Sequence, residues 1–171
     1  MPMIDTLLKV EDLEISFGGT VALQGVGLEA KRGAISAVIG PNGSGTTTTF
    51  NCFTGMYRPS AGRILFEGAE MTRMNPFRIA RAGIARTFQN LALFQELSVI
   101  ENLKMGAYRH GRTGLLEGAI LTSRARREEA EAERRARETL EFLDLAAVAD
   151  KKPTALSYGM QKRVEFARAL M

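Results

Sequence analysis

Ala34-Ile35-Ser36-Ala37-Val38-Ile39-Gly40-Pro41-Asn42-Gly43-Ser44-Gly45-Thr46-Thr47-Thr48-Thr49 is the stretch that decides the fold. Residues 34–39 are small, apolar and β-branched, as a short strand buried on both faces would be. Residues 40–45 form a Gly-rich turn, and the pattern predicts a helix over residues 46–54. Four successive threonines have poor helix propensity, so that helix rests on the strand-turn-helix order. A G-x-x-x-x-G turn between a buried strand and a helix has the spacing of a phosphate-binding loop. Glycines let the backbone curl until several N–H groups converge on one anion, and the helix adds the positive end of its dipole. Taken alone, the same pattern also fits a strand-to-helix turn that binds nothing.

The loop departs from the usual pattern at one place. Such loops carry Lys after the last glycine, and here that residue is Thr46. Thr is too short to reach the β- and γ-phosphates and carries no charge. Losing one charge-assisted hydrogen bond costs ~1.5–3 kcal/mol, roughly a 10- to 100-fold loss of nucleotide affinity. Removing one preorganised donor costs about 10²–10³ in rate. Thr47 keeps the position whose hydroxyl binds Mg2+ in these loops.

The whole chain of 171 residues is 45% apolar and 25% charged with a net charge of +4, the composition of a soluble globular chain. A single Cys52 excludes an intrachain disulfide scaffold. The longest clean apolar run, residues 34–39, is far short of the ~20 residues a membrane span needs. Asp5, Lys9, Glu11 and Asp12 interrupt the start of the chain, so no secretory signal is expected, and a reducing cytoplasm fits. Acidic and basic residues are intermixed, and no aromatic-basic platform suggests nucleic acid.

Working outward, residues 7–17, 21–29 and 62–67 read as strands, and residues 76–82 as a short helix with Pro in its first turn. Beyond residue 89 the character is mostly helical. Ser98 and Glu101 have capping-box spacing and start a helix to about residue 108. Residues 110–118 form a Gly-punctuated loop carrying His110, expected to be solvent-exposed. Residues 123–143 form a charged helix with Glu131–Arg135 and Glu133–Arg137 pairs and an apolar stripe of Ala132, Ala136, Leu140 and Leu143. A turn over 153–159 leads to a last helix over 160–171. Cys52 is expected to pack as a small hydrophobe.

A second motif lies far from the first. Leu156-Ser157-Tyr158-Gly159-Met160-Gln161 precedes the last helix and resembles the signature segment of ABC-type ATPases, usually Leu-Ser-Gly-Gly-Gln. Ile15-Ser16-Phe17-Gly18-Gly19 stands where that family keeps an adenine-stacking aromatic, and Arg86-Thr87-Phe88-Gln89 where it keeps its Q-loop glutamine. Asn51 to Gly55, the run Arg86 to Asn90, Leu93-Phe94, Val99-Ile100-Glu101-Asn102-Leu103 and Leu156-Ser157-Tyr158-Gly159 look like the branched-chain amino acid importer ATPases. The lipopolysaccharide-export ATPase shares Val164-Glu165 and Ala167-Arg168-Ala169-Leu170 but lacks the Arg-Thr-Phe-Gln run.

The resemblance implies an α/β fold: a P-loop NTPase nucleotide-binding domain of ABC type, with a mixed sheet core, an antiparallel β subdomain and a helical subdomain. It divides the chain into a core subdomain over 1–89, a helical subdomain over 90–155, and the signature with the start of its helix over 156–171. Phe17 would stack on adenine. Asn42, Gly43, Ser44, Gly45, Thr46, Thr47 and Thr48 would wrap the phosphates of ATP, with Thr48 at the α-phosphate. Thr47 and Gln89 would serve Mg2+. Ser157 and Gly159 would close over ATP held by the opposite subunit, so function would need a homo- or heterodimer. Met160 departs from the family's Gln, which is tolerable where backbone amides and Ser make the contacts.

The resemblance further implies permease partners, touched by residues 90–108, and an indirect periplasmic binding protein. The chain would sit on the cytoplasmic side of the inner membrane, held through the permease. The family's Walker B carboxylates and switch histidine are expected beyond Met171, so no catalytic base is assigned. A chain ending there is expected to be hydrolysis-deficient, and unstable or aggregated alone. Two alternatives stand: a degenerate, non-catalytic module, favoured by Thr46, and an ABC ATPase of lipopolysaccharide-export type. A third, weaker reading is a repair or translation ATPase, whose usual insertions are not visible.

Overall fold

A ladder of four antiparallel strands organises the first half of the chain. The structure, a computed structural model, describes residues 6–87, 92–107 and 122–171. They fall into two units, Met1–Ile84 and Ala85–Met171. In the first, β1 (Thr6–Phe17) pairs with β2 (Thr20–Lys31) on one side and β3 (Ala61–Phe66) on the other, and β4 (Ala69–Glu70) extends the sheet. β1 and β2 meet at Gly18 and Gly19, both at positive φ (51° and 87°), as the tight turn between Phe17 and its partner Thr20 requires. Val10 and Leu13 both enter the core although they are three positions apart. Simple alternation would put them on opposite faces. A register shift between them, with Asp12 at φ 45°, turns both inward.

Two helices cover this sheet. α1 (Thr46–Phe53) buries Thr49, Cys52 and Phe53, and α2 (Pro76–Ala82) buries Ile79. They join Val10, Leu13, Ile15, Leu23, Ile64 and Met71 in one core. Cys52 packs as the small hydrophobe expected, and burial pushes its thiol pKa up. α2 begins where the sequence predicts, with the Asn75 side chain accepting from the Arg78 N–H at 2.9 Å.

The second unit is helical. α3 (Val99–Ala107), α4 (Ser123–Phe142) and α5 (Tyr158–Leu170) pack around Val99, Leu103, Ala136, Leu140, Leu145 and Val164. The expected capping box is present: Ser98 N–H donates to Glu101 Oε2 at 2.7 Å, and Glu101 N–H to Ser98 Oγ at 3.3 Å. Those bonds from Ser98 hold the Glu101 carboxyl below the ordinary carboxylate range. Lys104 joins α3 to α4 through Glu129 and Glu133, the latter at 3.3 Å. Burial opposes its charge, but the two carboxylates outweigh it and raise the Lys104 pKa. The α4 pairs Glu131–Arg135 and Glu133–Arg137 form at 2.6 Å each.

Asn102 has no exposed surface. Its amide accepts from Phe94 N–H (2.8 Å) and donates to the carbonyls of Phe94, Leu97 and Ser98 at 3.0, 3.2 and 2.9 Å. It pins residues 94–98 onto α3. From α5, Arg168 donates to the Ala92 carbonyl at 2.6 Å and lies 5.9 Å over the Phe94 ring.

Two sequence expectations need correction. Residues 34–39 form neither a strand nor a buried one: every residue there is exposed, Ile35 at 103% and Ile39 at 92%. A strand is held by lateral hydrogen bonds, and no strand among the described residues runs beside this segment. The last helix starts at Tyr158, not at residue 160, because Ser157 caps it. Residues 88–91 and the segment with His110 lie outside the described residues. No described helix is long and apolar enough to cross a membrane.

Two outcomes follow. Asn102→Ala should lower stability by about 2–4 kcal/mol, because the Phe94 N–H and the Leu97 carbonyl lose their partner and the Phe94 and Ser98 carbonyls each lose one of two donors. Urea unfolding followed by far-UV circular dichroism measures it, and an unchanged midpoint refutes the assignment. The exposed Ile35 and Ile39 should drive self-association. Ile35→Lys with Ile39→Lys should raise the monomer fraction in size-exclusion chromatography, and an unaltered profile would contradict this.

Candidate functional site

The turn over residues 40–45 is shaped by where its glycines sit. Gly43 and Gly45 are both at φ 86°, a region that side chains resist. Ser44 N–H donates to the Pro41 carbonyl at 3.1 Å, tightening the curl. Gly45 is also the residue from which α1 departs, and it is wedged against β2. A Cβ there would lie 2.5 Å from Leu23 Cδ2 and 2.8 Å from the Ala22 carbonyl. Leu23 pairs with Ile15 of β1, two residues from Phe17. The turn and the tip of the β1–β2 hairpin are therefore neighbours.

The start of α1 has no side-chain cap and no acidic residue in its first turn. The N–H groups there have no helical acceptors, so the helix start presents donors and partial positive charge. The first regular bonds close behind them: Thr49 N–H and Thr49 Oγ1 both donate to the Gly45 carbonyl, at 2.8 and 3.0 Å. Thr49 is buried, Thr46 and Thr48 are half-buried, and Thr47 is exposed. Asn42, Gly43 and Ser44 are exposed. This arrangement suits an anion approached by backbone amides, with the hydroxyl-bearing Ser44 and Thr47 exposed beside it.

Phe17 lies at the hairpin tip and is 44% exposed. Tyr57 packs against it, with ring centroids 5.0 Å apart and planes inclined by 67°. The sequence reading did not single out Tyr57. It belongs to no periodic element, and only the fold brings it to Phe17. Its one local signal is its place just past Gly55, where α1 has ended.

In the second unit Ser157 is the N-cap of α5. Its Oγ accepts from Met160 N–H at 3.4 Å, and its carbonyl from Gln161 N–H at 3.0 Å. The Gln161 side chain donates to the Leu156 carbonyl at 3.0 Å, fixing the approach to the helix. Ser157 and Gly159 are exposed, and a Cβ on Gly159 would meet nothing within 4 Å. A glycine in a helix costs about 1 kcal/mol against alanine, and no contact among the described residues requires this one. Phe17 and residues 42–48 thus gather in the first unit, and Ser157 with Gly159 in the second. Gln89 lies outside the described residues. Among the described residues no cluster of three or more His, Cys, Asp or Glu side chains could hold a metal.

The sequence pattern of the ABC transporter family matches residues 23–171. The chain is 42% identical over 165 residues to the high-affinity branched-chain amino acid transport ATP-binding protein BraF of Pseudomonas aeruginosa, covering 96% of this chain and 65% of that one. It is 41% identical over 169 residues to LivG of Escherichia coli, of the same description, covering 99% and 66%. The chain thus spans just under two thirds of the length of these curated relatives. Among solved structures, the ADP conformation of an ATP-binding cassette of an ABC transporter superposes with TM-score 0.78 at 36% identity, covering 96% of this chain and 64% of that one. CbiO1 of Clostridium perfringens, part of the ABC transporter complex cbiONQ, gives 0.78 at 32% identity, covering 97% and 61%.

The wedge at Gly45 predicts an asymmetry between two glycines of equal φ. Gly45→Ala should cost about 2–4 kcal/mol, adding overpacking to backbone strain. Gly43→Ala, in open space, should cost only about 1–2 kcal/mol. Equal losses in parallel urea titrations would show that the contact with β2 is unimportant.

Proposed function

The chain belongs to the ABC transporter family, and from that membership we propose that it is the nucleotide-binding part of an ATP-binding subunit for branched-chain amino acid import. The observation that carries the reading is the turn over 40–45, curled by Gly43 and Gly45 and opening onto the uncapped start of α1 beside Phe17. The relatives' descriptions as branched-chain amino acid transport proteins support the cargo class. The turn itself carries no signal for the cargo, because a nucleotide site does not touch the transported molecule.

The residues present fit ATP. Backbone amides from Asn42 to Thr48 hold phosphate, and the exposed face of Phe17 stacks on adenine. The Thr47 hydroxyl would hold Mg2+, with Gln89 the second candidate, and the ion would offset the negative charge of the phosphates. ATP binding would close two such subunits on each other, and hydrolysis of its phosphoanhydride by water to ADP and phosphate would let them reopen. In that closure Ser157 and the amides of its helix start meet the nucleotide of the opposite subunit. The open space at Gly159 supports such an approach. Permease subunits hold the assembly at the cytoplasmic face of the inner membrane, with a periplasmic binding protein acting through them. Residues 90–108 are the candidate permease contact.

Thr46 supports a second reading, a module that binds nucleotide without turning it over. The half-buried Thr46 brings no cation to the phosphates, where charge develops in the transition state. The lipopolysaccharide-export alternative finds no support in the relatives' descriptions.

Thr46→Lys should tighten Mg-ATP binding roughly 10- to 100-fold by isothermal titration. The unaltered chain should release phosphate from ATP at the background rate. Measurable turnover without the lysine, or equal affinities of the two forms, would overturn the role given to position 46.

A further inference from the structure

We propose that Tyr57 is a positioning residue for the nucleotide base, setting the orientation of Phe17; the inference rests on the nucleotide reading above. Phe17 sits at the end of a hairpin whose tip turns at Gly18 and Gly19. A half-exposed phenylalanine at such a tip has several rotamers to choose from, and each would aim its ring differently. A ring that must stack on a base gains from being held in one of them before the ligand arrives.

Tyr57 supplies that hold from a second element. It follows the C-terminus of α1, the helix whose other end opens the 40–45 turn. Met56 N–H and Tyr57 N–H both donate to the Asn51 carbonyl, at 2.9 and 3.2 Å, so the residue is tied to the helix. Its ring reaches back to Phe17 at 5.0 Å and 67°, an edge-type contact. Aromatic pairs favour that geometry over face-to-face stacking. Tyr57 thus occupies one side of Phe17 and leaves a stacking side free, consistent with 44% exposure of Phe17 beside 38% for Tyr57. Gly45 ties one end of α1 to β2, and Tyr57 ties the other end to the hairpin tip. The distance between a stacked base and amide-bound phosphates is thereby set by one short helix braced at both ends.

The role separates base from phosphate, and the test uses that. Affinities for Mg-ATP and for Mg-tripolyphosphate, which has no base, are measured by isothermal titration on the unaltered chain, Tyr57→Leu and Tyr57→Phe. Tyr57→Leu should weaken ATP binding about 2- to 10-fold and leave tripolyphosphate unchanged. Tyr57→Phe, which keeps the ring, should restore ATP affinity to within about twofold. ATP affinity unchanged in Tyr57→Leu overturns the inference. So does an equal loss for both ligands, which would mark Tyr57 as a structural support of the turn. If the unaltered chain binds neither ligand, the nucleotide reading itself falls and takes this inference with it.

Discussion

The close approach of Gly45 to β2 governs what the first unit can do. A residue with a side chain would push α1 off the sheet, because Leu23 and the Ala22 carbonyl already occupy the space. The same glycine must hold a left-handed φ so that the chain can leave the turn and enter the helix. Those demands coincide at one position, and the amides ahead of it inherit their direction. Burial of Cys52 and Phe53 holds α1 down on the sheet, so the helix start is set by core packing as well as by the turn.

The second unit relies on polar groups that are fully satisfied inside it. Asn102 makes four hydrogen bonds without contact with water, and a network of that kind specifies one arrangement of the segment it holds. Arg168 reaches that segment from α5, the helix that Ser157 caps. Residues 92–94 and the exposed serine are therefore connected to one rigid element. The connection runs through contacts inside the unit and needs no partner to form.

Where local chemistry decided the outcome, the sequence was readable. The capping box at Ser98 and Glu101, the Pro76 helix, the paired charges of α4 and the glycine turn all depend on neighbours a few residues away, and each has its expected form. The mixed α/β class was legible from the same signals. The failures have a common cause. Residues 34–39 have strand composition, but a strand depends on what lies alongside, which composition does not encode. The Ser157 cap was missed because Tyr158 and Gly159 are weak helix formers, and an N-cap bond with the amide of Met160 outweighs that weakness. Tyr57 was invisible because its meaning lies in a contact with a residue far away in the chain.

The unpaired segment before the turn also bears on how an anion would be held. The turn is anchored to packed structure on its helix side, through Gly45 and Thr49, while the side entering from residues 34–39 has no ladder among the described residues to hold it. Nothing alongside residues 34–39 among the described residues fixes the entry to the turn, so the chain freedom left on that side is given up when an anion is held, and that loss opposes binding. Any polypeptide edge that paired with residues 34–39 would remove this cost beforehand. By linkage, the two events would favour each other by the same factor: pairing would strengthen anion binding, and a bound anion would strengthen pairing.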